Sequence, residues 1–220
     1  MKDKKPALTA NKLQEQAIKF AEFLSQQPIK KLYGVTDGKA VGTYVELDFR
    51  RYVLESFSFA LGSAAKGIDF PELLVDVKVT SSKQPQSSCP FRSARQKVYG
   101  LGYSVLVFVC EKSDDAEERV ARLNIRDVIF VDAPCTADYQ TTFGLRRLLD
   151  SNANRDDILA FFEERMLPME ASEAEMLAEE VLQKPPAIGY LTISNALQWR
   201  LQYSRVIDCA GQTAGVLRLR

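Results

Sequence analysis

One run in the first half of the chain, Leu73-Leu-Val-Asp-Val-Lys-Val79, limits the possible folds more than any other stretch. It is apolar and β-branched, and Phe70-Pro71-Glu72 forms a bend in front of it, so it reads as a strand. Residues two apart on a strand share a face, which sends Asp76 and Lys78 the same way. The spacing predicts paired strands over 62–69 and 73–80, the first ending at Asp69 and folding back. Two carboxylates and one ammonium would then converge. The plain alternative is a surface strand with two charges on its wet face, since the Asp-x-Lys tripeptide is common.

Helical periodicity flanks this hairpin. Leu13, Ala17, Phe20, Ala21 and Leu24 recur at helical spacing over 10–27, with Thr9 as N-cap and Pro28 as stop. A second helix is expected over 40–60, burying Val45, Phe49, Tyr52, Val53 and Phe57. Between them, Gly34-Val-Thr-Asp-Gly38-Lys39-Ala40 superficially suggests a phosphate loop. Its glycines are one residue too close and Ala40 lacks the hydroxyl that such a loop places on magnesium, so it reads as a turn before a helix. After the strands, Phe91–Tyr99 reads as a short helix carrying Arg92, Arg95 and Lys97, stopped by Gly100 and Gly102. Tyr103–Val109 reads as a buried strand.

Chemistry is bounded by what the chain lacks. It has 220 residues and no histidine, which removes HNH and HD nucleases, zinc proteases and the Ser-His-Asp and Cys-His hydrolases. Acid–base or metal work must use carboxylates and lysine. Two hard oxygen donors beside an ammonium suit a magnesium ion acting on a phosphodiester.

Asp69, a six-residue spacer and Asp76-x-Lys78 resemble the PD-(D/E)xK nuclease motif, with Ile68 where the motif's proline usually stands. The order helix, strands, helix, strand over about residues 40–110 resembles that family's core. The resemblance implies an α/β fold of the α+β type, a mixed central sheet flanked by helices, here followed by a mainly helical C-terminal region. It implies Asp69 and Asp76 as Mg2+ ligands, Mn2+ being able to substitute, and Lys78 as the residue that positions or activates water. Gly42-x-x-x-Glu46-x-x-Phe49 is similar to the helix preceding the motif strands in the family, whose acidic residue reaches the metal. Glu46 is the candidate, Glu55 the second choice. The class implied is a type II restriction endonuclease, a homodimer cutting double-stranded DNA to 5′-phosphate ends, with a cognate methyltransferase elsewhere in the cell. A structure-selective repair nuclease or junction resolvase, and a non-catalytic DNA-binding protein, remain as alternatives.

Candidate DNA contacts come from local patches, because the formal net charge is zero. The polar stretch 81–88 offers Lys83, Gln84 and Gln86. The short helix offers Arg92, Arg95 and Gln96. Residues 113–125 read as a charged helix, 128–131 as a short strand and 141–150 as a helix. Beyond a boundary at about 150, amphipathic helices are expected over 156–166 and 173–183, the latter with a capping box from Ser172 to Glu175. Thr192–Ala210 resembles a helix-turn-helix, with Gly211–Leu219 as a small wing. It offers Gln198, Arg200, Gln202 and Arg205 to bases or phosphates. The nuclease domain is expected over 1–150 and the helical region over 151–220, for DNA reading or dimerisation. Cys89, Cys110, Cys135 and Cys209 lack metal-site spacing and read as thiols. No membrane span or signal-peptide pattern is present, so a cytoplasmic location is expected.

Overall fold

The computed structural model describes residues 5–60, 67–89, 92–195 and 199–220, with the backbone alone at Trp199. In chain order the elements are α1 (Ala10–Ser25), α2 (Gly38–Ser56), β1 (Val75–Ser81), β2 (Gln86–Cys89), α3 (Arg95–Tyr99), β3 (Ser104–Asp115) and β4 (Val120–Val131), then α4 (Tyr139–Asp150), α5 (Arg155–Glu164), α6 (Ala171–Gln183), β5 (Thr192–Ile193), β6 (Trp199–Gln202), α7 (Ser204–Cys209) and β7 (Val216–Arg218). They form a mixed α/β architecture in two compact units. One comprises 1–85, 105–131 and 209–220, the other 86–104 and 132–208. The chain thus changes unit after 85, 104, 131 and 208, and position 150 does not fall at any of these passages.

The first unit holds a four-stranded sheet in the order β1-β3-β4-β7, with β3–β4 and β4–β7 antiparallel. Thr9 caps α1 by accepting the Lys12 N–H, and Asp37 caps α2 by accepting the Lys39 N–H at 3.0 Å. Gly34–Ala40 is therefore a turn and a helix start. The helical stripes Leu13, Ala17, Phe20, Leu24 and Val41, Val45, Phe49, Val53 close over Val75, Val77, Leu106, Phe108 and Leu123 in one core. Its centre is aromatic: Phe20, Phe49 and Phe108 lie with ring centroids 5.1 to 5.8 Å apart, and Phe49 meets Phe70 edge-on at 6.0 Å. Every residue of β3 from Val105 to Cys110 is buried, the pattern of a strand covered on both faces.

In the second unit, α4, α5 and α6 pack around Leu145, Ile158, Phe161, Phe162, Leu177, Ala178 and Val181. A three-stranded sheet in the order β2-β6-β5 accompanies them. Gly100 ends α3 at φ +88°, and a Cβ there would lie 2.4 Å from the Ala133 carbonyl oxygen. No other residue fits that turn.

Several expectations are corrected. The charged segment 113–125 is the β3–β4 hairpin, not a helix: Asp115 faces Val120 and accepts the N–H groups of Glu117 and Glu118 at the turn. Val120, Ala121, Leu123 and Ile125 are buried while Arg122 and Asn124 are exposed, a mostly two-residue period that its acidic run obscured. Likewise 192–210 is no helix-turn-helix but β5, β6 and the six-residue α7. The supposed wing supplies β7, an edge strand of the first unit's sheet. Stretch 81–88 is only partly loop, since Gln86 begins β2. Helix α6 starts behind Glu170, which makes no side-chain cap, so Ser172 is already inside it. A capping box does form at α5, between Asn154 and Asp157. Finally, the helix expected over 91–99 begins at Arg95, and its Lys97 is buried with Nζ donating to the Ile193 carbonyl at 2.8 Å. Most of the expected strand over 62–69, and Gln198, lie outside the described residues.

Candidate active site

The charged cluster is built within the first unit by α2, β1 and the turn between Gly67 and Val75. Phe70 and Val75 exchange backbone hydrogen bonds of 2.9 and 3.2 Å, closing the turn onto the start of β1. That closure carries Asp69 alongside the strand, where its Oδ2 accepts the Val77 N–H at 2.9 Å. Asp76 and Lys78 leave the same face of β1, and Lys78 Nζ lies 2.7 Å from Asp76 Oδ2. This is a short, charge-assisted contact, and it pairs the buried carboxylate with the ammonium.

Helix α2 runs along β1 in the opposite sense. Gly42 packs on Val79 at one end and Phe49 on Phe70 at the other. Glu46 falls between, within the field of Asp69, Lys78 and Asp76. Burial, and then repulsion from Asp69 and Asp76, push its carboxyl up to about 7, with Lys78 and Arg50 only partly offsetting this. Asp76 is also raised, first by burial and then by Asp69, although the Lys78 ammonium pulls the other way. Burial alone would lower Lys78, but Asp76, Glu46 and Asp69 together hold its ammonium above the ordinary value.

These groups fit a hard divalent cation. Carboxylate oxygens of Asp69 and Asp76 meet beside one ammonium, and the charge of Asp69 helps to raise both Glu46 and Asp76. Among the described residues no three His, Cys, Asp or Glu side chains stand close enough to form a complete cage. Magnesium does not require one, since it is commonly held by one or two carboxylates plus waters and phosphate oxygens. Asp69 and Asp76 are the convergent pair.

Arg50, which no sequence motif marks, also joins the cluster. It lies four residues after Glu46, on the same side of α2, and its Nη1 approaches Asp69 Oδ1 at 3.6 Å. Glu55, the second choice for the helix acid, is exposed near the end of α2.

The expected DNA contacts are distributed over both units. Lys83 and Gln84 are exposed just after β1. In the second unit Gln86 faces Gln202, and Ser88 faces Arg200, across the β2–β6 pair. Arg92 is exposed ahead of α3. Arg95 makes a forked pair with Glu180, at 2.5 and 3.0 Å, and covers the Tyr99 ring. Gln96 donates to the Leu101 carbonyl. Arg205 lies over the Tyr139 ring, 3.5 Å from its centroid.

A mixed sheet flanked by helices, with an aspartate pair and a lysine at an outer strand, defines a restriction-endonuclease-like protein. The family model for the type II restriction enzyme NspV matches residues 7–218. The type II restriction enzyme NspV of Nostoc sp. (strain ATCC 29411 / PCC 7524) is 56% identical over 210 residues, covering 96% of each chain. No solved structure matches. The chain belongs to the NspV family of type II restriction enzymes, and is accordingly a DNA-binding restriction endonuclease. Enzymes of this class generally need a divalent metal. Among the described residues, no helix is long and apolar enough to cross a membrane.

Proposed function

We propose that the chain cleaves double-stranded DNA at a specific sequence using Mg2+ held by Asp69 and Asp76, with Mn2+ able to replace it. The observation carrying this reading is the meeting of Asp69, Asp76 and Lys78, with the buried Asp76 carboxylate 2.7 Å from the Lys78 ammonium and Asp69 held beside them by the Val77 N–H. A bound Mg2+ supplies polarisation of the scissile phosphate and a more acidic water. Lys78 keeps its proton, because three carboxylates surround it, and so donates to the attacking water or a phosphate oxygen while balancing developing negative charge. Glu46, poised near neutrality, accepts a proton from water, and would join the metal's donors only by moving toward Asp69 and Asp76. In-line attack leaves a 5′-phosphate and a 3′-hydroxyl.

Lys83, Gln84, Gln86, Arg92, Arg95, Gln96, Arg200 and Arg205 are the proposed DNA contacts. Arg95 and Arg205 would have to exchange their partners within the protein for DNA. The enzyme acts as a homodimer on a palindrome in the cytoplasm, its host DNA protected by a cognate methyltransferase that need not touch it.

Digestion of a long, sequenced phage DNA with Mg2+ or with EDTA tests this, run beside Lys78→Ala and Asp76→Asn. Discrete bands are expected from the wild type with Mg2+ only, and a loss of at least about 10³-fold in either variant with the fold kept. Cutting of branched DNA alone would point to a resolvase. Full activity in Lys78→Ala would sink the assignment of the site.

A further inference from the structure

Arg50 is unexplained by the carboxylate–lysine site, and it lies at that site's edge. Its position follows from the course of α2 along β1: one turn beyond Glu46, the helix comes level with Asp69. The contact with Asp69 is loose. At 3.6 Å the closest nitrogen and oxygen are an ion pair rather than a hydrogen-bonded fork. The Arg50 Nε–H is buried and has no hydrogen-bond partner among the described residues. A guanidinium with a weak hold on one carboxylate and a vacant buried edge is costly unless another acceptor completes it. Asp69, meanwhile, is anchored independently by the Val77 N–H and does not need Arg50 to stay beside β1.

Charge counting identifies the missing acceptor. Glu46, Asp69 and Asp76 carry three negative charges when ionised, and Lys78 and Arg50 carry two positive ones, leaving the cluster one negative charge in excess. With a divalent cation bound, the excess becomes one positive charge, which matches the single negative charge of one phosphodiester. Guanidinium is the side chain whose planar fork fits phosphate oxygens.

We propose that Arg50 is a phosphate-binding catalytic residue, held against Asp69 while the site is empty and turned to the scissile or adjoining phosphodiester when DNA is present. In the DNA-free enzyme Arg50 therefore competes with a divalent cation for Asp69. On DNA it donates its Nε–H and an Nη–H to a phosphate whose negative charge grows during attack. The proposal rests on the reading of Asp69, Asp76 and Lys78 as the cleavage site.

Competition and anchoring predict opposite signs, which makes the test decisive. Mn2+ binding to DNA-free protein is measured by electron paramagnetic resonance, and single-turnover cleavage at saturating Mg2+ is measured separately. Wild type is compared with Arg50→Gln, Arg50→Lys and Asp76→Asn. Arg50→Gln is expected to bind Mn2+ at least about threefold more tightly, because a nearby positive charge is gone. It should nevertheless cleave about 10²-fold more slowly, the usual loss when one donor to transition-state charge is removed. Arg50→Lys keeps the charge but not the fork, so Mn2+ affinity near wild type with slowed cleavage is expected; it also serves if Arg50→Gln does not fold. Weaker Mn2+ binding in parallel with slower cleavage in Arg50→Gln would make Arg50 a support for Asp69 and overturn the proposal. Unchanged cleavage would overturn it as well. If Asp76→Asn binds Mn2+ as wild type does, the cation-site reading itself fails, an outcome distinct from either result at Arg50.

Discussion

At pH 8 the folded protein holds Glu46 ionised against its preference, with burial and two neighbouring aspartates opposing the charge. An exposed glutamate in the unfolded chain ionises near 4.5, whereas the folded site holds its proton up to about 7. Between those values the folded state binds more protons than the unfolded one, so stability falls as pH rises through that window. Asp76, raised in the same direction, adds to the loss. The cost at pH 8 is about 3 kcal/mol from Glu46. Melting temperature in EDTA is expected to fall from pH 5.5 to pH 8, and Glu46→Gln should flatten most of that slope. A slope unchanged in Glu46→Gln would show that other groups set it. At this scale Asp69, Asp76 and Lys78 were legible, because a two-residue period and a bend bring them together by local geometry alone. Arg50 was not singled out, because a helix charge is usually solvated and its partner Asp69 is nineteen residues away in sequence.

Elements were legible where one period dominated. Helices α1, α2, α5 and α6 carried apolar stripes, and these four and α4 were located to within a few residues of their observed ends. The strand over 199–202 was not legible. Arg200 and Gln202 are exposed while Leu201 and Tyr203 are fully buried, the alternation of a half-buried strand. Neighbouring helix formers masked it. The strand register decides which of the proposed DNA contacts lie together. Gln86 lies opposite Gln202, and Ser88 opposite Arg200, so all four share one face of the β2–β6 pair, with Thr192 beside Gln202. These side chains stand on the sheet β2-β6-β5, whose central strand is β6, and in a major groove glutamine suits adenine and arginine suits guanine. Arg200→Ala and Gln202→Ala are each expected to weaken binding to the recognition sequence by about 1–3 kcal/mol while barely changing binding to unrelated DNA. Lys83→Ala should weaken both alike and reduce the salt dependence by about one unit of slope. Equal losses on both DNAs for Arg200→Ala would make it a phosphate contact instead.

For the whole molecule, contacts divide the chain into two units, each drawn from separate segments of the sequence. Periodicity reports which face of an element is buried, not which distant element covers it. The pairing of β7 with β4, from residues 129–131 to 216–218, is set by chain topology that no local pattern encodes. Function at this scale follows from charge and symmetry. With 29 acidic and 29 basic residues, the protein has no global field to draw it onto DNA. Each chain offers one Asp69–Asp76–Lys78 cluster, whereas cutting a duplex means breaking two phosphodiesters. In the proposed homodimer on a palindrome, each strand meets one cluster. Mixed dimers of wild type and Lys78→Ala, isolated through two different tags, are therefore expected to convert supercoiled plasmid to nicked circles that accumulate without linear product. Linear product from the mixed dimer at half the wild-type rate, with no nicked stage, would instead mean that one cluster cuts both strands in turn. Such a result would remove the need for symmetry in cleavage while leaving the chemistry of each cluster as it stands.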